Sequence, residues 1–574
     1  MFGRIARFFY KRRATRAPVH EIDPDEIFLD SSNLPQFDRH QLEGRLEHPI
    51  SRRTVWSVGG VFLVILLVVL SKSFALQIEE GEAYARRSAE NRLRHTLIFG
   101  ARGVLYDRTG KLLAWNVADK EQSEFSERRY LRTKGLAPVL GFLKYPSKDK
   151  AGFYYQVDFE GRDGVEKYYN EYFAPQHGLK IVETDAHGVV QSESVLKPPK
   201  DGDSIALTID AAVQEKLYTA IATLAAERDF QGGAAVIMDV ETGELLSLTS
   251  FPEYDPQMLT DGVDASGIRK ALEDRRTPFL NRATRGLYTP GSIVKPFIAL
   301  AALEEGVITP LKEIVSTGSI SVPNPFDPAK PTVFKDWKAH GAVDMRKALA
   351  VSSDVYFYEI GGGFEGQKGL GIAAIETYLR LFGFGETPPG SDFWGEAGVI
   401  PNPEWKRENF QGDGWRLGNT YHTAIGQYGL QVTPLQAARA VAAIANGGKL
   451  LEPRIIVEKD APPLFRVLPL QAASFAVVRE GMRDAVREGT ASGIWLPSVS
   501  IAAKTGTAEL GALKKLVNSW IIGFFPFERP RYAFAVIMER GPRENTVGAL
   551  YVMREVLEWM SAHTPEYLQP DANF

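Results

Sequence analysis

Tyr288-Thr289-Pro290-Gly291-Ser292-Ile293-Val294-Lys295-Pro296, followed by Phe297-Ile298-Ala299-Leu300-Ala301-Ala302-Leu303, reads as a turn that opens an apolar helix. Thr-Pro-Gly supplies the turn, Pro296 lies where a missing N–H costs least, and Gly306 is a natural terminator. Ser292 therefore falls at a helix N-terminus, where free N–H groups and the positive dipole end favour an alkoxide or oxyanion. The i,i+3 spacing puts Lys295 on the same helical face. A hydroxyl beside an amine is the starting material of an activated nucleophile.

Two further motifs follow in order, Ser352-Ser353-Asp354 and Lys504-Thr505-Gly506-Thr507. They add a hydroxyl able to relay protons, then a cation beside two more hydroxyls and backbone N–H donors. Any one motif alone is weak: Ser147-Lys148-Asp149-Lys150 and Ser194-Val195-Leu196-Lys197 also match S-x-x-K, and Ser31-Ser32-Asn33 matches the second pattern. Lys504-Thr505-Gly506 is the sole K-[ST]-G in the chain. It continues Val499-Ser500-Ile501-Ala502-Ala503, and Trp520 to Phe525 and Tyr532 to Met538 are similar β-branched and aromatic runs. The three are predicted to be neighbouring strands, with Lys504-Thr505-Gly506 ending or edging one of them. Gly506 is expected to let a substrate backbone approach closely.

Asp210 is predicted to cap a helix carrying Val213, Leu217, Ile221 and Leu224 on one face. A hairpin is expected from Ala234 to Asp239 and Glu244 to Ser250, a helix from Pro434 to before Gly447-Gly448, and a last amphipathic helix from Val547 to Met560. Strands at both ends and helices between them imply an α+β domain whose sheet joins N- and C-terminal strands. Gly361 to Gly366 formally matches G-x-G-x-x-G, but with no βαβ unit around it a loop is the expected reading.

The chain has 574 residues, 44% hydrophobic and 24% charged, enough for roughly three domains. A net charge of −4 gives no support to a nucleic-acid partner. The absence of cysteine removes thiol nucleophiles, disulfides and Cys-based zinc sites. Nine histidines show no ligand spacing, so neither a metal nor a cofactor is expected; His340 and His422 are read as structural or substrate-adjacent. No G-x-S-x-G elbow exists, which disfavours an α/β-hydrolase.

Thr54 to Ser71 is an uncharged stretch of 18 residues, extendable to Leu76 if Lys72 snorkels, and is read as a membrane-spanning helix. Arg4, Arg7, Lys11, Arg12, Arg13 and Arg16 precede it with no acidic residue among them, so the positive-inside rule puts the N-terminus in the cytoplasm. The expected organisation is a cytoplasmic tail over 1–53, a transmembrane signal anchor over 54–76, a mixed pedestal over 77–200 and a catalytic domain over 201–574, with the Pro198-Pro199 segment as the last boundary. The acidic 17–53 segment is read as a poorly ordered tail or docking segment.

The ordered set S-x-x-K, S-x-N, K-T-G is a known signature of penicillin-binding proteins and class A β-lactamases. From the membrane segment to about residue 560 the chain resembles class B penicillin-binding proteins. Arg102 to Ala114 looks like that family's R-G-x-I-Y-D-R-x-G-x-x-L-A segment, and Gly161 to Tyr172 its G-x-x-G-x-E-x-x-Y stretch. Ser352 to Tyr358, and Ile425-Gly426-Gln427 before Val432 to Gln436, resemble the elongation-type penicillin-binding protein 2 group more than division-type members, which usually carry Asn at the position of Asp354. The resemblance implies a membrane-anchored D,D-transpeptidase that cross-links peptidoglycan stem peptides and is a target of β-lactams. It implies a pedestal and a transpeptidase domain with a mainly antiparallel sheet and a helical subdomain.

By the same resemblance Ser292 is the nucleophile, Lys295 its base, Ser352 the proton relay and Lys504 its electrostatic helper. Thr505, Gly506 and Thr507 would bind substrate, the two hydroxyls holding its carboxylate and the N–H groups of Ser292 and Thr507 an oxyanion. Asp354 departs from the S-x-N pattern, since a carboxylate accepts from Lys295 but cannot donate to a substrate carbonyl. The resemblance also implies a separate polytopic glycosyltransferase of the shape, elongation, division and sporulation family, met through the membrane helix and the pedestal. Competing readings are a division-type transpeptidase, a β-lactamase, which would need a positioned base for hydrolysis, and a weakly catalytic scaffold or sensor, for which a 53-residue tail is too short an output domain.

Overall fold

The computed structural model describes residues 51–569 apart from 119–123, 185–188, 325–326, 328, 390–391, 459–460 and 512. The expected tail lies outside the described residues up to position 50, and so does its basic stretch. The chain divides into two units, Met1–Arg92 and Leu93–Phe574.

In the first unit the helix Arg52–Phe74 is capped by Ser51, whose side chain accepts from Thr54 N, and none of its residues is buried. Its 23 residues rise by ~35 Å, more than the ~30 Å hydrocarbon thickness of a bilayer. The expected apolar span is thus one continuous helix, long and apolar enough to cross a membrane. It passes into a π-helical turn, Ala75–Glu79, and then into the helix Gly81–Arg92.

The second unit begins with two small sheets. One is antiparallel, with Gly178–Thr184 between Leu93–Ile98 and Val190–Lys197. The other runs Ile205–Ala206, Leu105–Tyr106, Leu112–Val117, Glu127–Tyr130, its first pair parallel. Asp107 makes the tight turn between two of these strands, its carboxylate accepting from Thr109 N and Lys111 N at 2.8 Å. The two sequence segments that carry the family resemblance meet here. Arg102 Nε lies 2.7 Å from Glu166, and Arg128 Nε, from a third segment, lies 2.8 Å from its other oxygen. All three side chains are buried. Burial pushes the Glu166 carboxyl up, but the Arg128 and Arg102 guanidinium groups outweigh it and hold it below the usual range.

Removing the shared carboxylate strands two buried cations. Glu166→Ala is therefore expected to destabilise the protein by about 3–5 kcal/mol, read from the midpoint of denaturant unfolding. A midpoint within error of the parent's would mean that the triad contributes nothing net.

The main sheet has five antiparallel strands in the order Leu245–Phe251, Gly232–Asp239, Tyr532–Pro542, Leu516–Phe525, Ala502–Leu510. N- and C-terminal strands do join. Both faces are covered, which is why these strands read as continuous apolar runs instead of alternating ones. Ala235 and Ile237 pack with the helices Ala211–Glu227 and Ala549–His563, while Val236 and Met238 pack with Lys295–Glu304 and Pro434–Ala445. Asp210 caps the first of these helices, accepting from Ala212 N and Val213 N. Thr433 and Gln436 form a reciprocal capping box on the last.

The loop expected over Gly361 to Gly366 is found only from Gly363 on: Gly361 and Gly362 close the helix Asp354–Gly362. A Cβ on them would lie 2.5 Å from Ala424 and 2.4 Å from the Tyr421 ring, so they are glycines because the helix Leu417–Ala424 packs directly on their backbone.

Candidate active site

Gly291–Val294 forms one 3-10 turn that leads into the helix Lys295–Glu304. In a 3-10 turn residues three apart eclipse, so Ser292 and Lys295 leave the backbone on the same side. Gly291 has φ 59°, and a Cβ on it would lie 2.7 Å from Thr507 O. Its N–H donates to Gly426 O at 2.9 Å. The serine turn is thus pinned between the Ile425-Gly426-Gln427 segment and the Lys504 to Thr507 strand.

Lys295 is fully buried. Its Nζ donates to Asp354 Oδ1 at 2.6 Å, Ser352 O at 2.8 Å and Ser352 Oγ at 3.3 Å, using all three ammonium donors. Ser292 is half-buried, and among the described residues its hydroxyl makes no hydrogen bond, leaving it open to an incoming group.

Ser352 ends the helix Met345–Val351 in the left-handed conformation, φ 57° and ψ 42°. Its Oγ accepts from Lys504 Nζ at 2.9 Å and from Lys295. With both lone pairs taken, the Ser352 proton points elsewhere. Ser353 caps the next helix and Asp354 is that helix's first residue. Lys504 is also fully buried and donates to Thr505 O. Burial first, and the Lys295 charge second, drive the Lys504 ammonium well below the usual lysine range, against the pull of Asp354. Lys295, Ser352 and Lys504 form a continuous chain of hydrogen bonds beside Ser292.

The left-handed backbone at Ser352 costs a non-glycine residue ~1–2 kcal/mol, a form of strain found at functional sites. Ser352→Gly and Ser352→Ala lose the same hydroxyl, but only glycine relieves that strain. The glycine variant is expected to be more stable by about 1 kcal/mol; equal melting points would show that no strain is held there.

Lys504-Thr505-Gly506-Thr507 lies inside the strand Ala502–Leu510, at the sheet edge and not at the strand's end. Thr505 and Thr507 share its outer face, with Thr507 exposed. The reason for Gly506 differs from the expected one. A Cβ there would lie 2.8 Å from Ile293 Cγ2 and Pro290 O, so the bare backbone admits the serine turn rather than an incoming chain.

Sequence reasoning missed Asp336. One of its oxygens accepts from Ser353 Oγ at 2.8 Å, Val355 N at 3.0 Å and Ser316 Oγ at 3.1 Å. Burial pushes this carboxyl up, but the Val355 and Asp354 N–H groups, the Ser353 hydroxyl and the Lys295 charge outweigh it and hold it below the usual range. Asp336 fixes the Ser352 to Asp354 corner from 17 to 19 residues upstream, and no local pattern signals a contact at that distance. His340 lies 3.5 Å from Asp336 and is buried. His422 packs on the Phe334 and Tyr358 rings. Burial lowers the pKa of both imidazoles.

Residues 233–558 match the penicillin binding protein transpeptidase domain, and 121–207 the penicillin-binding protein dimerisation domain. Peptidoglycan D,D-transpeptidase MrdA of Acinetobacter baumannii is 29% identical over 88% of this chain and 87% of its own. The penicillin-binding protein PBP2 of Helicobacter pylori, solved in complex with MreC, is 25% identical with a TM-score of 0.68, covering 82% of this chain and 99% of that one. A chain of a peptidoglycan synthase complex, described as coordinating polymerization and crosslinking, is 26% identical with a TM-score of 0.68 over 88% and 97%. With the transpeptidase domain alone spanning more than half of its length, and PBP2 and MrdA proteins as its relatives, the chain belongs to the penicillin-binding proteins.

Proposed function

We propose that this chain is an elongation-type peptidoglycan D,D-transpeptidase acting through an acyl-serine. The observation that carries this reading is the chain Lys295–Ser352–Lys504, two buried amines sharing one hydroxyl beside an unencumbered Ser292. Ser292 Oγ attacks the carbonyl carbon of the penultimate D-Ala while its proton passes to Lys295, which enters the step as the neutral amine, having first released one of its three ammonium protons to solvent. As the C–N bond breaks, a proton reaches the leaving D-Ala amine through Ser352, and an ester to Ser292 remains. The amine of a second stem then attacks the ester. Its surplus proton returns along the same path to Ser292 Oγ, and the new C–N bond is the cross-link.

N–H groups of Ser292 and Thr507 stabilise the oxyanion, a contribution typically of ~2.7–4 kcal/mol per donor. Thr505 and Thr507 hydroxyls, with the nearby Lys504, hold the terminal carboxylate. Asp354 serves as an acceptor that anchors Lys295, which explains why a carboxylate works where an amide is usual. The helix Arg52–Phe74 would be a single-pass anchor, with the basic N-terminus in the cytoplasm and the catalytic domain outside. Partners would be a polytopic glycosyltransferase and an MreC-like protein, in line with the assemblies in which the relatives were solved. β-Lactams would acylate Ser292. A division-type assignment has less support, because MrdA of Acinetobacter baumannii aligns over 87% of its own length and FtsI of Escherichia coli over 74% of its own.

The test supplies nascent glycan carrying D-Ala-D-Ala stems and measures free D-Ala together with cross-linked dimers. Equal yields of the two are expected. D-Ala release without dimers would make water the acceptor and the protein a hydrolase.

A further inference from the structure

Gly489 and Thr490 follow the helix Ala472–Glu488 and wedge between two active-site segments that are far apart in sequence. Thr490 N donates to Ala350 O at 3.0 Å, two residues before Ser352. A Cβ on Gly489 would lie 2.1 Å from that same oxygen, so glycine is what allows this approach. On its other side, the Thr490 hydroxyl accepts from the Thr505 hydroxyl at 2.8 Å. Thr490 is half-buried and lies outside all three motifs.

We propose that Thr490 is a positioning residue for the substrate's terminal carboxylate, acting through Thr505; this rests on the transpeptidase reading. A hydroxyl has one proton and two acceptor sites. In the free protein Thr505 gives its proton to Thr490. When a carboxylate arrives, Thr505 turns its proton to the anion and Thr490 donates into the lone pair left on Thr505. The Thr505 oxygen stays in place and satisfied through the exchange, and the hydrogen bond to the anion is strengthened by the one behind it. The tie to Ala350 holds this relay in register with Ser352.

The experiment measures second-order acylation of the full-length protein by benzylpenicillin, which carries the carboxylate, and by its methyl ester, which does not. Thr490→Val keeps the shape and removes the hydroxyl, whereas Thr490→Ser keeps the hydroxyl. With benzylpenicillin, Thr490→Val is expected to be slower by about tenfold or more, the scale of a lost hydrogen bond to a charged group. With the ester it should stay within about twofold of the parent, and Thr490→Ser should restore the benzylpenicillin rate. Equal rates for Thr490→Val and the parent on benzylpenicillin would overturn the proposal, as would an equal loss on both compounds. A cycle with Thr505→Val gives a second reading, independent of the ester: effects that merely add would also overturn it. Failure of the parent to acquire any label at Ser292 would count against the transpeptidase reading instead.

Discussion

Ser292→Ala is expected to abolish covalent labelling by a fluorescent penicillin, with acylation falling by about 10⁶-fold, the scale seen when a catalytic serine is removed. The geometry leaves no substitute. Ser352 is another hydroxyl in the cluster, but its oxygen accepts from Lys504 and Lys295 and has no lone pair free for attack. Thr505 is bonded to Thr490 and Thr507 lies on the outer face of an edge strand. The variant should keep the parent's melting point, because Ser292 makes no hydrogen bond among the described residues and its loss strands no buried group. A labelled band of parental intensity would remove Ser292 from the chemistry.

The next largest effect belongs to Lys295. Lys295→Ala should cut the acylation rate by at least ~10²–10⁴-fold, the contribution of a positioned general base. Unlike the serine variant it should also lose stability, since Asp354 Oδ1 and Ser352 O each lose a donor in a buried setting. The two readouts separate the roles: stopped-flow acylation reports the base, and the melting point reports the anchor. Near-parental acylation with lowered stability would reduce Lys295 to an architectural cation and send the Ser292 proton elsewhere.

Much of this site is legible in the sequence because each motif carries its own local geometry. Thr-Pro-Gly before Ser292 makes the turn, the apolar run after it makes the helix, and β-branched runs around Lys504, Trp520 and Tyr532 make three neighbouring strands. Caps such as Asp210 and Thr433 are equally local, because the side chain bonds to its own next turn. What stays hidden depends on distance along the chain. Asp336 looks like any loop carboxylate until Ser353 and Val355 fold onto it, and Thr490 acquires meaning only from Ala350 and Thr505. Arg128 is the same case: the Arg102 and Glu166 segments stand out as sequence, yet the second cation on that carboxylate comes from a stretch with no signature. Glycines mislead for a related reason. Gly506, Gly361 and Gly362 each read locally as a loop or a substrate approach, while their actual neighbours are other parts of the protein's own core.

The central claim is that the peptide passes through an ester on Ser292 on its way to an amine. Mass spectrometry of the digested protein, quenched during turnover of a D-Ala-D-Ala stem peptide, tests it most directly. The expected result is an acyl adduct confined to the peptide that contains Ser292. It should have the mass of the donor minus D-Ala, and it should disappear, with a new cross-link formed, when an acceptor amine is added. D-Ala release at the normal rate with no adduct on Ser292, or with the adduct on another residue, would contradict the account.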